Sequence, residues 1–218
     1  MSTNGAPLTT DEKTVGILIY PGVEVADFCG CYEVFATTRL NEEMRRETES
    51  PVHQLLVAES KELVTATGGM KIMPDVDFAS CPPLDMLLVP GGHGIRALFP
   101  RSEYLDFLKR MVRVERLASV GTGSLLLGAS GLLVGKTATT HFRSVDFFRE
   151  KFPRTSLLPE LSMVVDGNIC TASSIRAGID MALYLIARIY GENVATESAR
   201  QMEYPYPNEN FRARNGKR

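Results

Sequence analysis

The sequence predicts an α/β fold, a doubly wound and mostly parallel sheet with helices on both faces, and three observations carry that expectation. Short, continuous apolar runs are bounded by Pro or Gly, as parallel strands covered on both faces are. These runs alternate with segments whose apolar residues recur at helical spacing, the pattern that builds a sheet sandwiched between helices. With 218 residues, 44% of them hydrophobic and 23% charged, the chain can bury one substantial core. One domain is expected over residues 14–205, between a disordered leader (1–13) and a tail (206–218).

The elements follow in order. The opening Met1-Ser-Thr-Asn-Gly-Ala-Pro-Leu-Thr-Thr is polar and small and reads as a leader without the basic region and apolar run of a secretory signal. Val15-Gly-Ile-Leu-Ile-Tyr20, Val52-His-Gln-Leu-Leu-Val-Ala58, Leu84-Asp-Met-Leu-Leu-Val89 and Leu117-Ala-Ser-Val120 are the strands. Helical spacing covers 28–39, 102–113, 122–130, 143–150 and 175–190, with Ser102 and Thr122 placed as start signals. Gly68-Gly69 between β-rich flanks predicts a hairpin over Leu63–Pro74 attached to the sheet. The basic end, Arg212 to Arg218, reads as a frayed tail. Together these elements make a flavodoxin-like sandwich.

Charge and cysteine usage narrow the function. A net charge of −2 and a pI near 6.0 give no pull toward nucleic acid or an anionic membrane, so small-molecule chemistry or protein contact is expected. Cys29, Cys31, Cys81 and Cys170 form no C-x-x-C pair, and three histidines add no zinc spacing, so neither a metal nor another cofactor is expected. Free thiols fit a reducing, cytoplasmic compartment. No apolar stretch is long enough to span a bilayer.

In an open α/β sheet ligands bind beyond the carboxyl ends of the strands, and four loops qualify. They are Tyr20-Pro-Gly-Val-Glu-Val-Ala-Asp27-Phe-Cys-Gly-Cys, Val89-Pro-Gly-Gly-His93-Gly, the turn at Gly121 and Ala138-Thr-Thr-His141-Phe. Gly91 and Gly92 allow backbone amides to approach a ligand, and the Thr122 amide at a helix start points to the same place, a candidate anion or oxyanion pocket. Leu117-Ala-Ser-Val-Gly121-Thr-Gly-Ser turns from a strand sharply into a helix, the elbow on which α/β enzymes mount a nucleophile in a strained conformation. Here that position carries a glycine, which relieves the strain and supplies no reactive atom.

The segments YPGVEVADFCGCYEVF, PPLDMLLVPGGHG, SVGTGSLLLGASGLLVGKTATTHF and VVDGNICTASSIRAGIDMALYLI resemble, in order and spacing, the ThiJ/PfpI superfamily, whose fold is of the class I glutamine amidotransferase type, and within it the isonitrile (isocyanide) hydratase branch. The resemblance runs from about residue 14 to 205. It implies the same sandwich fold and a homodimer, which apolar helices needing cover also favour. It implies a cysteine at the position of Gly121 that attacks the isocyanide carbon, an acid at Asp27 that moves protons, and release of an N-substituted formamide by water. Glycine cannot replace a thiolate, so the implied covalent route fails at this position.

Two roles fit Asp27: a carboxyl with a raised pKa beside a glycine-lined pocket, and a cap for the helical pattern that follows it. Glu24 and Glu33 read as solvated or structural. His141 ends a β-type run near the pocket and is either functional or bonded to a backbone carbonyl. His93 follows Gly-Gly and either lines the pocket or starts the next helix, while His53 lies within a strand. Cys29 and Cys31 fall in the first helix, away from the elbow, and Cys81 and Cys170 read as core or strand residues. Arg176, opening the last predicted helix, faces either the pocket or a dimer seam. Three functions remain open: a hydratase-like enzyme that has lost its cysteine, an enzyme that hydrates a small electrophile non-covalently through Asp27, and a ligand-binding or sensory protein. A regulator of the same superfamily needs a helix-turn-helix segment, for which the residues after 205 are too few.

Overall fold

The computed structural model describes residues 7–207 and 213–215. In chain order the elements are β1 (Lys13–Leu18), α1 (Val25–Thr37), β2 (Val52–Ala58), β3 (Val64–Thr65), β4 (Lys71–Ile72), β5 (Val76–Asp77) and β6 (Met86–Val89). They continue with α2 (Ser102–Arg110), β7 (Arg116–Val120), α3 (Gly123–Ala129), β8 (Thr137–Ala138), α4 (Val145–Lys151) and β9 (Ser156–Leu157). The last are β10 (Met163–Asp166), β11 (Ile169–Ala172), α5 (Ile175–Tyr190), α6 (Glu192–Gln201) and β12 (Ala213–Asn215).

The central sheet has eight strands in the order β12-β10-β11-β7-β6-β1-β2-β5. Every pairing is parallel except β10 with β11. All four residues of β6 are buried, and so are the last four of β1, as central strands covered on both faces require. One helical layer holds α1, α5 and α6; α2 and α3 pack together, with α3 against β6 and β7. This is the doubly wound, mostly parallel α/β sandwich the sequence predicts. The chain leaves β1 toward β2 on one side and returns to β6 on the other, so the loops after β1 and β6 part there and open a crevice.

Several boundaries differ from expectation for identifiable reasons. The first helix begins at Val25 rather than 28, because Asp27 lies inside its first turn instead of capping it. Arg101, not Ser102, holds the cap position of α2, and the expected last turn of that helix is a separate 3-10 turn, Met111–Arg113. The Gly68-Gly69 hairpin forms, as β3 with β4, but as its own two-stranded sheet and not as part of the central one. Its strands are two residues long, and the hairpin is tied to the loop after β1: the Gly22 N–H donates to the Thr65 carbonyl at 2.8 Å and the Thr67 N–H to the Val23 carbonyl at 2.9 Å.

The ends are also more structured than a leader and a frayed tail imply. Within the expected leader, the Leu8 N–H donates to the Tyr190 carbonyl at 3.0 Å and the Tyr190 hydroxyl to the Asp11 carbonyl at 2.9 Å. Within the expected tail, Ala213–Asn215 pairs in parallel with β10. Residues 1–6, 208–212 and 216–218 lie outside the described residues.

Candidate active site

The crevice is a cavity of about 570 Å³ lined by Glu24, Asp27, Gly92, His93, Gly121, Thr122, His141, Arg143, Ser174, Ile175 and Arg176. Four loops at the carboxyl ends of β1, β6, β7 and β8 supply its polar floor, and the start of α5 supplies one wall.

Asp27 is 6% exposed, held in the first turn of α1. Its Oδ2 accepts a hydrogen bond from the Gly91 N–H at 2.9 Å. Burial pushes its carboxyl up to about 6, the nearby Glu24 adds to the rise, and the Gly91 amide only partly offsets it. The capping role is thereby replaced: the position before the helix belongs to Glu24, and Asp27 aims across at the loop after β6. Glu24 also lines the cavity, where its Oε1 accepts from the Thr67 hydroxyl at 3.2 Å, and the same Thr67 oxygen accepts from the Val25 N–H at 3.2 Å. The small hairpin thus clamps the start of α1, which fixes Asp27.

Gly91 is a glycine for lack of room. A Cβ there would lie 2.7 Å from both Asp27 Oδ2 and Thr122 Oγ1 and 2.8 Å from the Thr122 amide nitrogen. Gly91→Ala is therefore expected to destabilise the fold by about 1–3 kcal/mol through overpacking and to displace Asp27. Urea unfolding checks it, and an unchanged midpoint would show that the loop gives way freely. Thr122 stands at the start of α3 without capping it; its Oγ1 accepts instead from the Gly92 N–H at 3.0 Å. Gly91, Gly92 and Thr122 are thus brought together as one interlocked unit under Asp27.

Gly121 occupies the turn between β7 and α3 with φ +55°, a left-handed conformation that side chains rarely adopt. Its N–H donates to the Ala172 carbonyl at 2.9 Å, and its carbonyl accepts from the Ser124 and Thr140 hydroxyls at 3.2 and 3.3 Å. A Cβ placed on it would point at Asp27 Oδ2, 3.0 Å away, and meet no other residue within 4 Å. The turn has the left-handed geometry that glycine adopts without strain, and a side chain attached there would face the Asp27 carboxyl, which burial pushes up to about 6.

His141 and His93 share the cavity, and among the described residues the Asp27 carboxyl is hydrogen-bonded to the Gly91 N–H rather than to either imidazole. His141 opens the 3-10 turn Phe142–Ser144, and its Nδ1 accepts from the Arg143 N–H at 3.4 Å rather than serving a carbonyl. Partial burial and the nearby Arg143 charge lower its pKa below the ordinary imidazole value. His93 is exposed at the start of the 3-10 turn His93–Leu98.

Arg176 lies on the cavity wall, as do Arg143, Ser174 and Ile175, which sequence reasoning passed over. The signal for Ser174 was present: a serine before a helical pattern, whose Oγ accepts from the Ala177 N–H at 3.3 Å. Glu33 is exposed on α1. Cys29 is half-buried there, and Cys31 is buried with its thiol 3.4 Å from the Gly178 carbonyl. Neither lines the cavity. Cys170 is buried in β11, while Cys81 sits half-buried in a loop. Among the described residues no three His, Cys, Asp or Glu side chains gather as a metal site requires, and no helix is long and apolar enough to cross a membrane.

The DJ-1/PfpI family profile matches residues 13–188. Isonitrile hydratase of Pseudomonas putida is 37% identical over 192 residues, which is 87% of this chain and 78% of that protein. The HTH-type transcriptional regulator GbdR of Pseudomonas aeruginosa is 34% identical over 142 residues, covering 65% of this chain but only 38% of the regulator. A crystal structure of a ThiJ/PfpI family protein from Pseudomonas syringae superposes with a TM-score of 0.78 at 31% identity, over 92% of this chain and 78% of that one.

Proposed function

The chain belongs to the DJ-1/PfpI family, and from that premise we propose that it is an isonitrile hydratase-like lyase scaffold whose nucleophilic position is held by Gly121. It binds an isocyanide or a similar small electrophile, and hydration to the N-substituted formamide is weak or absent. The observation that carries this reading is the direction of the Cβ at position 121, onto the Asp27 carboxyl at 3.0 Å. A thiol mounted there would stand beside a group able to move its proton, and the 37% identity to isonitrile hydratase supplies the reaction class.

Without the thiol, the remaining chemistry is addition of water across the isocyanide carbon, with Asp27 as the proton-moving group. General acid–base help contributes about 10²–10⁴-fold, well below a covalent route combined with it. The test is formamide formation from a panel of isocyanides by the protein as it stands. Slow or undetectable turnover is expected; turnover at the rate of a thiolate enzyme would overturn the assignment of Gly121.

A second reading, a ligand-binding or sensory member of the family, is favoured by the identity to GbdR, a regulator of which this chain spans 38%. Binding of isocyanides with no turnover in either the native protein or a Gly121→Cys variant would select it.

We also propose a homodimer in a reducing cytoplasm. The four described cysteines are free, and Leu63, Met70 and Met73 leave an exposed apolar patch on the hairpin. A stable dimer buries about 1,200 Å² or more. Light scattering is expected to give twice the 24.0 kDa chain mass, and a monomer across micromolar concentrations would reject it.

A further inference from the structure

We infer that the cavity takes a small molecule with a carboxylate at one end, held by Arg143 and Arg176 at the mouth, and an uncharged polar group at the other, which reaches Asp27 and Gly121. The identity of the inner group rests on the hydratase reading; the anionic outer end does not.

The cavity is polarised from floor to mouth. Its floor holds buried Asp27 and Gly121, while Arg143, Arg176 and His93 are exposed around its rim. Among the described residues no carboxylate forms an ion pair with either guanidinium, and that of Arg176 has the neutral Tyr204 hydroxyl as a neighbour. Glu24, the other acid of the lining, already accepts a hydrogen bond from the Thr67 hydroxyl.

Both arginines occupy positions that a merely solvated charge does not need. Arg176 lies in the first turn of α5, where the helix field disfavours a cation and where acidic residues are lacking. The Ala177 amide of that turn is taken by Ser174 Oγ. The Arg143 guanidinium rests over the Phe142 ring, 5.5 Å from its centre, and Phe142 is itself 71% exposed. That ring holds the cation without neutralising it. Ile175, which lines the cavity and is exposed, adds apolar surface beside the charges, suited to a short carbon chain between two polar ends.

Orientation follows from these charges. A carboxylate is repelled from the floor by Asp27 and Glu24 and drawn to the mouth by two guanidiniums, whose planar forks suit carboxylate geometry. A neutral polar group meets no such penalty at the floor, where the Asp27 carboxyl can donate or accept. The site therefore selects bifunctional molecules over equally sized neutral ones.

The probes are N-formylglycine, the hydration product of an anionic isocyanide, and its neutral methyl ester, titrated calorimetrically into the native protein. The acid is expected to bind about tenfold more tightly than the ester, the size of one charge-assisted pair open to solvent. Arg143→Gln and Arg176→Gln should each reduce that preference, and the double variant should abolish it. Both side chains are exposed, so urea midpoints should stay unchanged and certify that the variants are folded. Equal binding of acid and ester, no binding of the acid at millimolar concentration, or a preference that survives in the folded double variant would each overturn the inference. Turnover of methyl isocyanoacetate by Gly121→Cys separates the two readings: turnover without acid preference removes the anionic subsite and keeps the hydratase, and acid preference without turnover does the reverse.

Discussion

Gly121→Cys is expected to convert a protein with little or no hydratase activity into one that forms formamides from isocyanides at least about 10²-fold faster, because removing the nucleophile of a covalent enzyme typically costs several orders of magnitude. The new thiol would project at Asp27 from a turn whose amides, at the start of α3, favour negative charge. It should therefore ionise more readily than an ordinary thiol. The four native cysteines differ: burial pushes Cys29 and Cys81 up, Cys31 further, and Cys170 to about 12. A thiol-reactive probe should label position 121 first. Labelling no faster than an unfolded-protein thiol would show that 121 is not the elbow of a reactive site. A side chain at φ +55° also carries strain, so the variant should unfold about 1–2 kcal/mol more easily than the native protein. Gain of activity with loss of stability is the combined signature; stability without activity would leave Gly121 a plain turn.

What was legible in the sequence followed local chemistry, and what was missed depended on distance. β2 and α5 fall on their predicted limits, 52–58 and 175–190, because their apolar patterns run uninterrupted between turn residues. The meeting of Asp27, Gly92, Thr122 and Gly121 in one crevice, with Gly91 packed behind Asp27 and Thr122, was readable because strand ends in such a sheet converge. The β10–β11 hairpin escaped although Asp166-Gly167 between Val164-Val165 and Ile169 is a strong turn signal, with Gly167 at φ +67°. Helix α6 escaped because its buried face consists of Val194, Ala195, Ser198 and Ala199, too weak a stripe to stand out. The role of Asp27 stayed divided in the sequence because its acceptor bond comes from Gly91, sixty-four residues away. Arg143 was missed for the same reason: nothing near it in the chain reveals that the loop after β8 and the start of α5 line one cavity.

Asp27→Asn is expected to make the protein more stable at neutral pH while removing whatever hydration chemistry the site supports. The folded chain holds the Asp27 proton up to about pH 6, whereas an unfolded chain releases it near 4. Below pH 4 both forms are protonated and burial of the carboxyl carries no ionic penalty. As pH rises from 4 to 6 the unfolded chain ionises first and gains relative to the folded one; above 6 the folded state bears the whole penalty, about 3 kcal/mol at about 1.4 kcal/mol per pH unit. Asparagine cannot ionise, yet its side-chain oxygen can still accept from the Gly91 N–H. Urea titrations at pH 4 and 7.5 should therefore show near-equal stabilities at the lower pH and a more stable variant, by about 2–3 kcal/mol, at the higher. In the Gly121→Cys background the same change should lower formamide formation by about 10²–10⁴-fold, the range of a lost acid–base group. A stability difference that does not vary with pH would mean that Asp27 is not held protonated by burial. Full turnover with asparagine at 27 would leave this residue only its structural bond to Gly91 and pass the proton transfer to another group of the cavity.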